Sequence, residues 1–328
     1  MTPLYAGDQL DEYQLESLVA SSGMASIFRA TDLRDGATVA IKVPLPQAEC
    51  DPIFHERFRR EIEIGTRLRH AGIRKIFPSD EHSRLYMAME WLDGRLLRQV
   101  LAEEGRMPVR RAVWITMEIL AALDYMHSHG VVHRDLKPEN VMLEASPQTG
   151  TDDRIKIIDF GIAASAGSRR LTFGKLSQVM GSPDYISPEQ VKNKRGDARS
   201  DFYAVGVMLY EMLTGETPFH GVNPFAVMNA RLVASPRPPS EINPEISPQL
   251  EEVVLRALER DPEHRYANAQ QFAWDLSHQD EVQVTGRPTL VDLRLQPSAR
   301  RRSLASYLMF ALIPVAVLGL LLYVARAG

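Results

Sequence analysis

Three short apolar segments near the start of the chain predict β-strands. Residues 13–19, 25–30 and 38–43 are rich in β-branched and other apolar side chains. Turn-forming residues separate these segments at 21–23 and 35–36. The pattern therefore predicts a small β-rich region at the start of the chain.

The spacing of apolar residues becomes helical after these strands. One amphipathic helix is predicted at residues 54–69, and one further strand at 85–91. Beyond Gly94 the helical pattern dominates, and the clearest helices are residues 110–129, 200–213, 248–260 and 268–277. A β-rich small lobe followed by a helix-rich large lobe is an α+β arrangement, which is the predicted fold class.

An uncharged apolar segment, residues 304–325, follows near the C-terminus. As a helix it spans about 33 Å, against about 30 Å for the hydrocarbon core of a bilayer. A buried core helix is the alternative, but a soluble helix of this length normally keeps a polar stripe. Arginines at 300–302 precede the segment, which places its N-terminal side in the cytoplasm. We predict a transmembrane helix between a linker at 278–303 and an extracytoplasmic tail at 326–328.

Composition narrows the class of protein further. The 328 residues carry a formal net charge of −4, so no basic excess points to a nucleic-acid partner. Residues 1–12 are polar and acidic, and we interpret them as an N-terminal tail that lacks the features of a secretory signal. The single cysteine, Cys50, excludes an intrachain disulfide and fits a reducing compartment.

The most informative segment is residues 133–140, His-Arg-Asp-Leu-Lys-Pro-Glu-Asn. Phosphoryl transfer needs positioning and neutralisation of developing charge more than covalent chemistry. Asp135 can orient an attacking hydroxyl and accept its proton, and Lys137 can contact a γ-phosphate. Asn140 can hold a magnesium ion through its amide oxygen.

Two further segments supply matching chemistry. An apolar strand at residues 155–158 runs into Asp159, followed by Phe and Gly, and its carboxylate is a suitable second ligand for Mg²⁺. Upstream, Val-Ala-Ile-Lys ends at Lys42, which can pair with the α- and β-phosphates. Glu61 lies on the following predicted helix and can hold that lysine in place.

These motifs, in this order, resemble the eukaryotic-type Ser/Thr protein kinases that also occur in bacteria. The resemblance covers residues 13–277, with a small lobe at about 13–89 and a large lobe at about 94–277. It implies a two-lobed kinase fold, ATP and Mg²⁺ as cofactors, and proteins as substrates. It also suggests a bacterial inner membrane as the location of the predicted span.

The resemblance gives roles to residues outside these motifs. Met89 corresponds to the gatekeeper, and residues 90–92 correspond to the hinge. Glu189, which closes the activation segment, is expected to pair with Arg265, and Asp201 is expected to support the catalytic loop. The implied ATP contacts are Val19, Ala20, Ser21, Ser22, Gly23, Ile27, Ala40, Lys42, Met89, Glu90, Leu92 and Met142.

The acceptor type also follows from the resemblance. Lys137 occupies the position that has lysine in Ser/Thr-type loops, and Ser182 corresponds to a hydroxyl that contacts the catalytic Asp and Lys. Both favour Ser and Thr as acceptors. Residues 181–189 correspond to a peptide-docking platform that small-molecule kinases of similar fold usually lack, which disfavours a small-molecule substrate.

The loop expected to cover the phosphates departs from the family pattern of Gly-x-Gly-x-x-Gly. Ala20, Ser22 and Ala25 replace all three glycines, which normally let the backbone approach the phosphates closely. We therefore expect weaker ATP binding or slower turnover. A second interpretation is a membrane-held pseudokinase scaffold that transfers nothing, although the candidate catalytic and magnesium-binding residues are all retained.

The resemblance also suggests a route of regulation. Arg134 precedes Asp135, and in the family such an arginine pairs with a phosphate on the activation segment, here residues 159–189. Thr172 and Ser177 are our candidates for autophosphorylation, and ordinary loop hydroxyls are the alternative. The sequence supports no particular oligomeric state.

Overall fold

The computed structural model of the protein describes residues 3–78, 83–145, 152–159 and 183–286. The chain divides into two compact units, Met1–Arg287 and Pro288–Gly328, and the described residues all belong to the first. The predicted transmembrane segment and most of the predicted linker lie outside the described residues. No helix among the described residues is both long and apolar enough to cross a membrane.

A five-stranded antiparallel sheet forms the small lobe, and its strands follow one another in chain order. They are β1 Gln9–Leu10, β2 Tyr13–Ser21, β3 Ala25–Asp32, β4 Thr38–Pro44 and β5 Met87–Glu90. Because side chains alternate along each strand, one set is buried together, including Tyr13, Leu15, Phe28 and Ile41. The three strands predicted at the start of the chain are confirmed.

Two helices connect β4 to β5, and they are α1 Pro46–Glu49 and α2 Pro52–Arg67. The side chain of Asp51 caps the start of α2, since it accepts a hydrogen bond from the N–H of Ile53 at 2.9 Å. Helix α2 buries the face that carries Phe58 and Glu61. The amphipathic helix predicted at 54–69 is therefore confirmed, and it lies two residues nearer the N-terminus because the cap at Asp51 sets its start.

The folded unit extends beyond both predicted boundaries. Residues 1–12 are predicted as a tail, yet Gln9–Leu10 pair with β2, and Leu10 is buried. The linker is predicted to begin at residue 278, yet Thr285 is attached to the large lobe. Its N–H and hydroxyl both donate to the carboxylate of Glu252, at 3.1 and 2.7 Å. Backbone pairing and the packing of Leu10 into the apolar core hold the first end, and hydrogen bonds to Glu252 hold the second. Neither end carries a run of apolar side chains, so composition does not reveal them.

Helices and one small sheet make up the large lobe. The helices are α3 Leu97–Glu104, α4 Val109–Ser128, α5 Pro188–Val191, α6 Ala198–Thr214, α7 Pro224–Val233, α8 Pro248–Ala257 and α9 Ala269–Ser277. The sheet joins β6 Gly94–Leu96, β7 Val141–Ala145 and β8 Asp152–Ile157 in that order. The predicted α+β fold with a β-rich small lobe and a helical large lobe is confirmed.

Helix α6 lies at the centre of the large lobe, with α4 and α8 packed against it. Every residue from Ser200 to Thr214 is buried, so this stretch has no solvent-facing side. A helix that is buried all round is typical of the core of a large domain. Asp201 belongs to this stretch, and a buried carboxylate requires hydrogen-bond partners to be tolerated there.

Candidate active site

The carboxylate of Asp201 fixes the backbone of the segment that carries the candidate catalytic residues. It accepts hydrogen bonds from the N–H of His133 at 2.9 Å and from the N–H of Arg134 at 2.7 Å. The Nε2 atom of His127 lies 2.8 Å from the same carboxylate. Arg134 has φ +65°, a left-handed conformation that costs a non-glycine residue about 1–3 kcal/mol. The bonds to Asp201 stabilise that conformation, as expected for a residue that supports the catalytic loop.

The loop brings two other predicted residues, Lys137 and Asn140, next to Asp135. The Nζ atom of Lys137 lies 2.7 Å from Oδ2 of Asp135. The side-chain amide of Asn140 donates to the backbone carbonyl of Asp135 at 2.8 Å. The Asp135 side chain is 46 % exposed, so a reactant hydroxyl can reach it. This arrangement gives Asp135 an adjacent cation and leaves it open to a substrate.

A second cluster joins the small lobe to the end of β8. Nζ of Lys42, on β4, lies 3.1 Å from the carboxylate of Glu61 on α2 and 3.3 Å from that of Asp159. Glu61 is 6 % exposed, whereas the side chain of Asp159 is 48 % exposed. Residues separated by more than a hundred positions therefore meet at one ammonium group.

The charges of this cluster are unbalanced, because two carboxylates share one lysine. Burial raises the pKa of Glu61 to about 8, and the neighbouring charge of Asp159 adds to this effect despite Lys42. Burial alone would raise the pKa of Asp159, but the Lys42 ammonium outweighs it and holds that pKa below its ordinary value. Burial alone would lower the pKa of Lys42, but Asp159 and Glu61 outweigh it and raise that pKa.

The residues in the site fit a magnesium ion. Carboxylate and amide oxygens are the ligands that this hard cation takes, and Asp159 and Asn140 supply them. One ammonium faces two carboxyl groups in this cluster, so a further positive charge would be stabilised there. A divalent cation held by Asp159 and Asn140 would supply that charge and neutralise phosphate oxygens.

The predicted nucleotide contacts are distributed over the sheet and the hinge. Strand register places Ala20 beside Ile27, Ile27 beside Lys42, and Ala40 beside Met89. These residues therefore surround the lysine on neighbouring strands. Met142 lies on β7, opposite Leu96 of β6.

The hinge presents a backbone that suits an adenine edge. Within the described part of the chain, neither the N–H nor the C=O of Leu92 has a hydrogen-bond partner, although this residue is 6 % exposed. The Glu90 side chain pairs with Lys156 at 2.9 Å, and the Trp91 ring lies under the Arg29 guanidinium at 5.4 Å. These contacts stabilise the hinge and leave the Leu92 backbone groups for a ligand.

A buried ion pair joins Glu189, at the end of the activation segment, to Arg265. Arg265 donates two hydrogen bonds to Glu189, each 2.8 Å long, and the Ser200 hydroxyl donates a third at 2.6 Å. The expected pair between Glu189 and Arg265 is thus present. Burial alone would raise the pKa of Glu189, but these bonds outweigh it and lower the pKa to about 2. The neighbouring Gln190 donates to the backbone carbonyl of Arg134 at 2.8 Å, which connects this segment to the catalytic loop.

Sequence reasoning misses two arginines near the site, the buried Arg74 and the half-buried Arg98. Arg98 on α3 contacts Glu139 at 3.3 Å, Glu211 at 2.8 Å and the hydroxyl of Tyr185. Arg74 is 8 % exposed, and its Nη1 lies 3.7 Å from the Met89 sulfur, behind the predicted gatekeeper. No local motif marks either residue, since the partners lie far away in the sequence.

Several predicted residues lie outside the described part of the chain. They are the acceptor-side hydroxyl Ser182 and the candidate phosphorylation sites Thr172 and Ser177. The activation segment is therefore described only at its two ends, by Asp159 and by residues 183–189.

Known proteins share this organisation. The protein kinase domain family matches residues 13–275. The chain is 38 % identical over 281 residues to the probable serine/threonine-protein kinase SCO3848 of Streptomyces coelicolor. It is 36 % identical over 286 residues to the serine/threonine-protein kinase PknB of Mycolicibacterium smegmatis. These alignments cover 84 % and 86 % of this chain, but only 40 % and 45 % of the relatives, so the chain spans less than half of their length.

Solved structures agree on the fold. The kinase domain of Mycobacterium tuberculosis PknI matches with a TM-score of 0.65 and 26 % sequence identity, covering 85 % of this chain and 100 % of that chain. Rad53 residues 1–466 in complex with AMP-PNP match with a TM-score of 0.64 and 25 % identity, covering 80 % of this chain and 64 % of that one. Coverage of this extent includes both lobes.

The Glu189–Arg265 pair gives a testable pH dependence. Substituting Glu189→Gln leaves Arg265 without its charged partner, so we expect the free energy of unfolding to fall by about 3–5 kcal/mol at pH 7. Because the pKa of Glu189 is lowered in the folded state, the ion pair stabilises the fold fully above about pH 4.5. This stabilisation is lost as the pH falls towards 2. Urea denaturation should therefore show that the difference in free energy of unfolding between parent and variant is smaller at pH 3.5 than at pH 7.

The control for this experiment is Glu263→Gln. Glu263 pairs with Arg199, but its side chain is 73 % exposed, so the expected change is within about 0.5 kcal/mol. An equal loss of stability in both variants, or a gap that widens in acid, would contradict the role given to Glu189.

Proposed function

The chain belongs to the protein kinase family, and we propose that it transfers the γ-phosphate of ATP to Ser and Thr side chains of proteins, including its own. One observation carries the proposal. The structure assembles Asp135, Lys137 and Asn140 on one fixed loop, with Lys42 bridging Glu61 and Asp159. Each of these groups has a task in phosphoryl transfer.

Asp135 is the group that positions the acceptor. Its half-exposed carboxylate accepts a hydrogen bond from the incoming hydroxyl and then takes its proton as the oxygen bonds to the γ-phosphorus. The bond from the γ-phosphorus to the bridging oxygen breaks, and ADP leaves with those electrons. Lys137, 2.7 Å from Asp135, lies close enough to contact the transferred group as its charge develops.

Lys42 and Asp159 serve the other side of the reaction. Lys42 is held by Glu61 and can pair with the α- and β-phosphates, which fixes the leaving group. Asp159 and Asn140 can hold a magnesium ion, whose chemistry is to neutralise charge on the phosphate oxygens. Among the matched structures, Rad53 carries AMP-PNP, an ATP analogue, which supports a nucleotide in this cleft.

The geometry favours an enzyme over a pseudokinase scaffold. A scaffold needs the fold but has no need for a cation beside an exposed Asp135, or for Lys42 bonded to both carboxylates. Relatives named as Ser/Thr kinases support the acceptor type, in agreement with Lys137 in the loop.

Two substitutions test the proposal. Asp135→Asn removes the proton acceptor and Asp159→Asn removes a magnesium ligand, so each should lower transfer by at least about 10²-fold. The measurement is transfer of labelled phosphate from Mg·ATP to the chain itself and to a generic basic protein. Asp280→Asn, at an exposed position beyond α9, should retain the parent's rate. A parent that binds nucleotide yet transfers nothing would instead support the scaffold.

We further propose that the chain is held at a membrane by residues 304–325. Their uncharged apolar composition, their length and the preceding arginines at 300–302 support this. The kinase domain would then face the cytoplasm, close to membrane-associated protein substrates.

Fractionation tests the membrane anchor. The full chain should sediment with membranes and resist extraction at alkaline pH, whereas a chain that ends at Ser303 should remain in the supernatant. The shortened chain should retain its phosphotransfer activity, because the described fold ends before the apolar segment. Recovery of the full chain in the supernatant would contradict the anchor.

We also propose that phosphate on the activation segment regulates the site through Arg134. Burial lowers the pKa of Arg134, and the nearby positive charges of Arg195 and Arg60 lower it further, partly offset by aspartates. Nε of Arg134 also donates to the carbonyl of Gly196 at 3.3 Å, so Arg134 and the segment that carries Arg195 form a cationic cluster next to the catalytic loop. Such a cluster suits a phosphorylated side chain, and Thr172 and Ser177 are the candidates.

Peptide mapping tests this regulation. After incubation with Mg·ATP, mass spectrometry should find phosphate on Thr172 or Ser177. Substituting Arg134→Ala should then reduce the activation that accompanies this modification, because the phosphate loses a partner. Phosphate found only outside residues 159–189 would contradict the proposal.

A further inference from the structure

Ser22 has an unusual place at the tip of the β2–β3 hairpin. Its N–H donates to the carbonyl of Ala25 at 2.9 Å, which closes the turn. Its side chain makes three more bonds within the same turn. Oγ accepts from the N–H of Met24 at 3.3 Å and from the N–H of Ala25 at 3.1 Å, and it donates to the carbonyl of Ala25 at 3.1 Å.

These bonds use the whole capacity of the hydroxyl, which has one donor and two acceptor sites. Two successive backbone N–H groups therefore converge on a single oxygen atom. Backbone N–H groups that converge in a turn form a concavity that binds anions, and phosphate oxygens above all. In this hairpin both N–H groups are instead bonded to the Oγ of Ser22.

The hairpin tip lies just beyond the candidate phosphate-binding lysine along the sheet. Ile27 on β3 is paired with Lys42 on β4, and Ala25 is paired with Pro44. The N–H of Leu45 donates to the carbonyl of Met24 at 2.8 Å. The Met24 and Ala25 N–H groups therefore belong to the end of the hairpin that packs against the residues following Lys42.

We propose that Ser22 is an internal competitor for the nucleotide phosphates, a role that rests on the proposed kinase function. A phosphate oxygen reaches the Met24 and Ala25 N–H groups only when the Ser22 side chain turns away. Affinity for ATP is lowered because those bonds must be broken. A phosphate oxygen can still displace the Ser22 hydroxyl from these N–H groups, since hydrogen bonds to ionised acceptors are about twice as strong as those to neutral ones.

The competition distinguishes Ser22 from the other two residues that replace glycines. Ala20 lies within β2, paired with Ile27, and has no polar side-chain atom to offer the turn. Ala25 is 8 % exposed and begins β3. Of the three, Ser22 alone carries a group that binds the loop's own donors.

The turn does not need the hydroxyl to keep its shape. The backbone bond from Ser22 to Ala25 closes it, and paired strands continue on both sides. Removing Oγ should therefore free the two N–H groups while the hairpin persists. If Ser22 competes with phosphate, removal of its hydroxyl strengthens nucleotide binding. If Ser22 merely organises the loop, the same change weakens nucleotide binding.

Binding measurements on the full chain test the proposal. Ser22→Ala should bind Mg·ADP about 5- to 30-fold more tightly than the parent, as expected when the cost of breaking about two hydrogen bonds is removed. Ser22→Gly should show a similar gain. Ser22→Thr keeps the hydroxyl, so its affinity should stay nearer to that of the parent than to that of Ser22→Ala.

Two controls make the result specific. Ser26→Ala removes a hydroxyl from the same hairpin, whose hydrogen-bond partner among the described residues is Ser21 Oγ at 3.2 Å. This variant should leave the affinity for Mg·ADP unchanged. Adenosine has no phosphate, so its affinity should be the same for the parent and for Ser22→Ala. Thermal unfolding of each variant should confirm that the fold persists.

Other outcomes overturn the inference. If Ser22→Ala binds Mg·ADP equally or more weakly, Ser22 is not a competitor. If only Ser22→Gly gains affinity, the bulk of the side chain rather than its hydroxyl limits binding. A gain that is equal for adenosine would mean that the effect does not act through phosphate. Absence of nucleotide binding by the parent and every variant would overturn the proposed function itself, and is thereby distinguished from failure of the inference alone.

Discussion

The carboxylate of Asp201 is the interaction on which the site depends. It is 1 % exposed, on a helix that is buried at the centre of the large lobe. Its bonds to the backbone of His133 and Arg134 hold a left-handed residue immediately before Asp135. A buried charge is tolerated only when it is fully hydrogen-bonded, and here the loop supplies the donors. The helix core and the catalytic loop therefore stabilise each other.

Ion pairs between charged side chains connect the two lobes. Lys42 belongs to the small lobe, whereas Asp159 follows the last strand of the large lobe, and they lie 3.3 Å apart. Glu61 brings helix α2 into the same cluster. Two carboxylates around one ammonium leave the site short of positive charge, which suits a divalent cation and a nucleotide. The geometry of this cluster thus suits the ligands that the family uses.

Much of this could be predicted from sequence, for a physical reason. Phosphoryl transfer needs particular side chains at short, fixed spacings, so residues 133–140 identify Asp135, Lys137 and Asn140 without a structure. Periodicity likewise predicted the strands and the main helices. It failed at the ends of the domain, where Leu10 and Thr285 are held by backbone pairing and by a buried carboxylate that no pattern reveals.

The amino-acid order alone was enough to infer the fold class, the phosphotransfer chemistry and the loss of the three loop glycines. How those residues act depends on the folded structure. It brought Arg98 to Glu139 and Glu211 across 41 and 113 positions, and it buried Arg74 behind Met89. The structure also distinguishes Ser22 from Ala20 and Ala25, because the Ser22 side chain bonds to N–H groups of the turn. In the sequence, all three are simply replacements of glycine. The reason is that hydrogen bonds depend on distance and direction in space, and these become defined only when the chain has folded.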